Sequence, residues 1–214
     1  MLEFWSVNSI AFTVLGYSVS YLELAGTILY LGSVWLIARG NILTWPVGIA
    51  SVLLYMVLFY QIRLYSDFLE QIYYLIVSIY GWWRWRDRES DRTLKTRYGS
   101  PVRILAIATG TIAVSMVWGA IMSRIHLFLP VIFPEPADFP YLDALTTGMS
   151  FTAMALMPGK YVESWYYWIV VDSIAIGLYR AKGVIFLSLL YAILLVMAIG
   201  GLRTWKKATR ATER

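Results

Sequence analysis

The stretch Glu163-Ser-Trp-Tyr-Tyr-Trp-Ile-Val-Val-Asp172 holds three residues that could do chemistry together. Trp165, Trp168 and Asp172 fall at i, i+3 and i+7, so on a helix they share one face. The apolar run around them extends from about Val162 to Tyr179. At ~1.5 Å rise per residue across a hydrocarbon core ~30 Å thick, Asp172 falls near the midplane of a bilayer. A carboxylate there costs roughly 2.5–3.5 kcal/mol to insert, so it needs a partner or a water-filled cavity. Two indole faces beside one buried anion suit a flat organic cation.

Other polar side chains share the expected depth. Gln71 and Tyr74 stand one turn apart, on the face that also carries Asp67 and Ser78; Ser188 and Tyr191 do the same further on, and Thr147 lies near Ser150. Converging on one tunnel, these would offer neutral donors and acceptors, aromatic faces and one or two carboxylates. Each also has a plainer reading. Gln71 could be interhelical glue, Trp165 part of an interfacial belt, and Tyr74 and Tyr191 packing residues. Asp172 could pair with a hydroxyl on another span, and Asp67 and Glu70 could lie in a wet outer vestibule. No Lys, Arg or His is clearly placed at mid-depth, which argues against phosphorylated ligands. There is no Ser-His-Asp set, metal-ligand cluster or glycine-rich phosphate loop, so neither an enzyme nor a bound cofactor or metal is expected. The chain has no cysteine and a single histidine, His126.

The elements that must position these residues are transmembrane helices. The chain has 214 residues, 59% hydrophobic and only 14% charged, with mean hydropathy +0.63. Soluble domains carry about 25% charged residues, so composition alone indicates an integral membrane protein. Long apolar runs, rather than alternating ten-residue segments, indicate helices and not a barrel. Seven spans are expected: about Leu22–Ala38, Thr44–Tyr60, Leu64–Trp85, Val102–Met122, Leu142–Met157, Val162–Tyr179 and Val184–Gly201. Residues 1–20 mix aromatics with Ser, Asn and Gly and carry no Lys or Arg; they read as an interfacial helix or an extension of the first span.

Basic residues cluster after the third span (Arg86, Arg88, Arg92, Lys95, Arg97, Arg103) and in the tail from Arg203. Both clusters fall on one side, which the positive-inside rule makes the cytoplasm, and the N-terminus then lies outside. The loop with Pro134, Glu135, Pro136 and Asp138 falls outside as well.

Residues 21–85 align with 141–205 at a constant offset of 120 without a gap. Tyr21-Leu-Glu23 matches Tyr141-Leu-Asp143, Trp45 matches Trp165, Leu58-Phe59 matches Leu178-Tyr179, and Gly81 with Trp85 matches Gly201 with Trp205. Identity is only about one position in five, yet the ends match. Each copy holds three spans, so a linking span, 101–123, is needed to keep both copies the same way up. The expectation is a single transmembrane domain, 1–214, all-α, with repeat one at 21–85, repeat two at 141–205, and parallel repeats about an axis along the membrane normal. Such bundles carry substrate between their halves near the midplane.

At these residues the chain resembles the PnuC family of bacterial vitamin transporters, whose best-known members carry nicotinamide riboside. The motifs are Arg39-Gly-Asn-Ile-Leu-Thr-Trp-Pro-Val-Gly48, Leu64-Tyr-Ser-Asp67 with Gln71-Ile-Tyr-Tyr74, Ile79-Tyr-Gly-Trp-Trp-Arg-Trp85, and Trp165-Tyr-Tyr-Trp168 with Asp172, over about 21–207. The W-x-x-W pair is associated with the nicotinamide riboside branch; thiamine and riboflavin branches also exist. The resemblance implies a SWEET-like three-plus-one-plus-three fold in the inner membrane and facilitated diffusion without a coupling ion. It further implies trapping by a cytoplasmic nicotinamide riboside kinase, with membrane lipid and a homo-oligomer as further partners. Nicotinamide riboside is a flat pyridinium cation with a carboxamide and a ribose. Trp165 and Trp168 would stack on the ring, Gln71 would take the amide or hydroxyls, and Asp172 would compensate charge or bind the ribose, with Tyr74 and Tyr191 beside them.

Overall fold

The computed structural model describes residues 6–14, 16–63, 65–87, 95–128 and 136–212. Most of the polar loop after the fourth helix, including Pro134 and Glu135, and the basic residues Arg88 and Arg92 lie outside them.

Long apolar runs free of internal helix breakers become helices: α1 Tyr21–Ala38, α2 Thr44–Gln61, α3 Tyr65–Asp87, α4 Pro101–Met122, a short α5 Ile125–Phe128, α6 Pro140–Leu156, α7 Glu163–Ala181 and α8 Ile185–Thr212. A 3-10 turn, Met157–Gly159, joins α6 to the approach of α7. Of these, α1, α2, α4 and α8 are long and apolar enough to cross a membrane, and the chain is a multi-pass membrane protein. The last helix runs well past the expected end at Gly201, because the tail from Arg203 continues the helical register through good helix formers.

The first twenty residues correct an expectation. No helix forms among the described residues 6–14 and 16–20; β1 Ile10–Val14 pairs antiparallel with β2 Tyr17–Ser20. The segment is rich in β-branched and aromatic residues, and Gly16 takes φ 82° at the turn, which suits a hairpin. Ser20 then caps α1 by accepting from Glu23 N–H at 3.1 Å. The hairpin is fastened across helix ends. Tyr17 stacks on Phe186 at 5.2 Å and donates to Glu23 Oε1 at 2.8 Å, and Val7 N–H donates to Gln61 Oε1 at 2.9 Å. Burial, with Glu23 as acceptor and nearby charge, pushes the Tyr17 phenol up, so it remains a donor at any physiological pH.

The bundle thus has a hairpin end, where α1, α3, α6 and α8 start, and a basic end, where they finish near Arg39, Arg97, Lys160 and Lys206. Along the chain α1 packs on α2, α2 on α3, α6 on α7 and α7 on α8, while α4 lies on α6 and α1 meets α8. Small polar residues make these contacts close, as membrane helices require. Ser51 donates to Gly26 O at 2.8 Å, and Thr27 meets Tyr55 at 2.7 Å. Thr111, Ser115 and Gly119 of α4 face Thr152, Gly148 and Tyr141 of α6, with a 2.7 Å Thr111–Thr152 hydroxyl contact.

Local geometry recurs at a spacing of 120. Gly40 and Lys160 both take positive φ (68° and 51°), as do Arg63 and Gly183 (61° and 76°). Trp45 meets Trp85 edge-on at 5.2 Å and 88°, and Trp165 meets Trp205 at 5.5 Å and 88°. Gly81 lies under Trp45 and Gly201 under Trp165, each too close to admit a Cβ. Weak sequence identity therefore conceals conserved corner geometry: the turns and the glycine–indole contacts repeat even where the residues differ.

Candidate functional site

Asp172 stands midway along α7, only 3% exposed. No hydrogen bond reaches its carboxylate among the described residues, although it stands near tyrosines of two other helices. Tyr30 of α1 and Tyr191 of α8 both feel its charge, and Tyr30 in turn lies close to Tyr74 of α3. Tyr74 interacts with Ser150 and packs edge-on against Phe151 of α6 at 6.0 Å. Its neighbour Tyr73 donates to Phe151 O at 2.7 Å and fixes α3 against α6. Tyr191 stacks on Tyr179 at 5.3 Å, with the planes 12° apart. A buried acid with no hydrogen bond among the described residues thus lies beside phenols of α1 and α8, which in turn stand near Tyr74 of α3.

Of the residues expected from sequence, Asp172, Tyr74 and Tyr191 come together here. Gln71 is buried one turn from Tyr74 on α3, and Trp168 is half-buried one turn from Asp172 on α7. Trp165 is placed differently. It is 1% exposed at the basic end, with Gly201 against its ring and Trp205 edge-on to it, inside a cluster with Trp45, Trp85, Ile37, Met157, Val162 and Ala198. Its indole is engaged by protein rather than offered beside Asp172. Asp67 and Glu70 stand in the first two turns of α3, nearer the hairpin end.

Tyr30 went unnoticed in the sequence. The repeat supplies the missing signal: at the offset of 120 Tyr30 corresponds to Ser150, as Gln71 corresponds to Tyr191. Two pairs of equivalent positions therefore contribute to the same region from opposite halves. Trp168 and Asp172 correspond instead to Gly48 and Val52, so the indole and the charge come from one half only.

The electrostatics are one-sided. The central turns of every long helix lack Lys, Arg and His; in α8 these begin at Arg203, toward the basic end, and in the other helices they lie near the ends. Among the described residues, no group of three or more His, Cys, Asp and Glu could hold a metal ion. The arrangement can stack an aromatic ring, satisfy hydroxyls and amides, and balance one positive charge. It offers nothing to bind a phosphate at mid-depth.

Residues 20–207 match a family model described as nicotinamide mononucleotide transporter. The chain is 31% identical to the nicotinamide riboside transporter PnuC of Escherichia coli (strain K12), over 98% of this chain and 96% of that protein. It is 27% identical to the riboflavin/roseoflavin transporter RibM of Streptomyces davaonensis, over 97% and 95%. A crystal structure of the vitamin B3 transporter PnuC, 22% identical, has the same fold with a TM-score of 0.67, covering 89% of this chain and 83% of that one.

Proposed function

The chain belongs to the nicotinamide mononucleotide transporter family, and from that premise we propose that it imports nicotinamide riboside by facilitated diffusion. The observation that carries the choice of substrate is the buried Asp172, without a hydrogen-bond partner among the described residues and one turn from the half-buried Trp168. That pair suits a flat pyridinium cation; Gln71, Tyr74 and Tyr191 suit its carboxamide and ribose hydroxyls. The family description names the mononucleotide, but a phosphate would meet no cation in the middle of any helix, and the riboside fits better.

In this reading α1, α2, α3, α4, α6, α7 and α8 are seven spans of one inner-membrane domain, arranged as two parallel three-helix repeats joined by α4. The recurring turns and tryptophan corners support it. Positive-inside places the basic end in the cytoplasm and the hairpin outside. Rocking of the halves about the central site would move the substrate. A cytoplasmic kinase would add a phosphate that the path cannot accept, making a passive carrier effectively one-way.

Calorimetry on the purified protein with nicotinamide riboside, thiamine and riboflavin tests the substrate. Selective binding of the riboside is expected. Selective binding of riboflavin would move the chain to the specificity named for RibM, and binding of none of the three would overturn the assignment.

A further inference from the structure

The basic end is closed by two hydrogen bonds that cross between the halves of the chain. Trp85 of α3 donates its indole N–H to Pro158 O at 3.0 Å, in the turn after α6. Trp205 of α8 donates to Ile37 O at 3.1 Å, in the last turn of α1. Trp85 and Trp205 are equivalent residues at the offset of 120, and the acceptors differ from equivalence by one position. Both acceptors are carbonyls at helix ends: Pro158 O lies in the turn after α6, and Ile37 O also accepts from Gly40 N–H at 2.9 Å in the turn that ends α1. Each donor is held at its angle by an edge-on indole, Trp45 or Trp165, which rests on a glycine. Ile37, Met157, Val162 and Ala198 pack with the four indoles into one buried cluster.

We infer that Trp85 and Trp205 are the inner gate of the transport path. They are functional residues that never touch substrate, and their two bonds must break for the basic end to open. The closure is also bounded in strength. The buried N–H groups of Trp45 and Trp165 have no acceptor among the described residues, a cost that offsets part of what the crossing bonds contribute. Lys160 adds a hold of its own: its Nζ sits 4.2 Å from the centre of the Trp85 ring, at a position where its repeat partner is Gly40 and where φ is 51°. The ammonium stands on the indole face from a backbone conformation that ordinarily favours glycine. A carrier needs such a seal: tight enough to exclude water, and weak enough to open on every cycle.

This inference rests on the transport reading but not on the identity of the substrate. The chain has no cysteine, so A198C places a single reporter thiol within the closed layer, at a position 2% exposed. The protein in lipid nanodiscs is labelled with a membrane-impermeant maleimide, in A198C and with W85F, W205F or both added. Phenylalanine keeps a six-membered aromatic ring and loses the pyrrole ring with its N–H. Each single replacement is expected to raise the labelling rate about fivefold, equivalent to roughly 1 kcal/mol per lost bond, and the pair about twenty-five-fold. A second reporter, L22C, is 1% exposed and lies at the hairpin end; its rate should not rise. Unchanged labelling at A198C in all variants overturns the gate, and an equal rise at both reporters does so too, because it shows general loosening. Failure of every vitamin to bind in calorimetry would sink the substrate assignment and leave this labelling result readable.

Discussion

Asp172→Asn separates charge from shape at the centre of the bundle. On α7, Trp168 and Asp172 are one turn apart, a rise of ~6 Å along the axis. A cationic ring stacked on Trp168 would then place its charge about 6 Å from the carboxylate. At an effective dielectric near 20 that attraction is worth about 3 kcal/mol, or roughly a hundredfold in Kd. Asparagine keeps the size and the hydrogen-bonding oxygen, so a neutral ligand of the same outline should lose little. The assay is calorimetry of both proteins with nicotinamide riboside and with its uncharged dihydro form. The expected result is a loss of about a hundredfold for the cation and less than threefold for the neutral analogue. Equal losses for the two ligands, or none for either, would refute the charge argument. The same substitution removes an unpaired buried acid, which is costly in the membrane interior. Without ligand, the variant should melt at a higher temperature than the parent.

Three further outcomes follow from the geometry. Trp168→Ala should weaken riboside binding by about 1–2 kcal/mol through lost stacking, while the protein still reaches the membrane; unaltered uptake would remove Trp168 from the site. Tyr30→Phe should cost the riboside about 1 kcal/mol in calorimetric affinity, with the fold retained, since only a hydroxyl near Asp172 is lost. Gly201→Ala would set a Cβ 2.5 Å from Trp165 Cη2 and should destabilise by about 1–3 kcal/mol in a thermal-unfolding assay. Gly177→Ala, with nothing within 4 Å, should be neutral or stabilising.

The long helices were legible because each is an apolar run bounded by polar residues and helix breakers. Expected and observed limits agree within a few residues for α1, α2, α3, α4, α6 and α7. The hairpin was not legible as such: short apolar runs mixed with Ser and Gly fit an interfacial helix as well, and pairing of β1 with β2 depends on fastening to Phe186 and Gln61, far along the chain. Of the candidate site residues, Asp172 stood out by the cost of its burial, and Gln71, Tyr74 and Tyr191 by their depth. Tyr30 did not, because a tyrosine in an apolar helix is ordinary until its neighbours on other helices are known.

Trp165 and Trp168 show the division most clearly. Helical periodicity puts both on one face with Asp172 and assigns them like roles. The packing distinguishes their burial: Trp165 is enclosed between Gly201 and Trp205, while Trp168 is half-buried at the edge of the same cluster. Periodicity along one helix is local, set by 3.6 residues per turn and the hydrophobicity of the bilayer, and the sequence determines it unaided. Which side chains share a contact is decided by the close approach of helices distant in the chain, so only the tertiary structure shows that Trp165 is enclosed by Gly201 and Trp205 while Trp168 keeps part of its surface exposed.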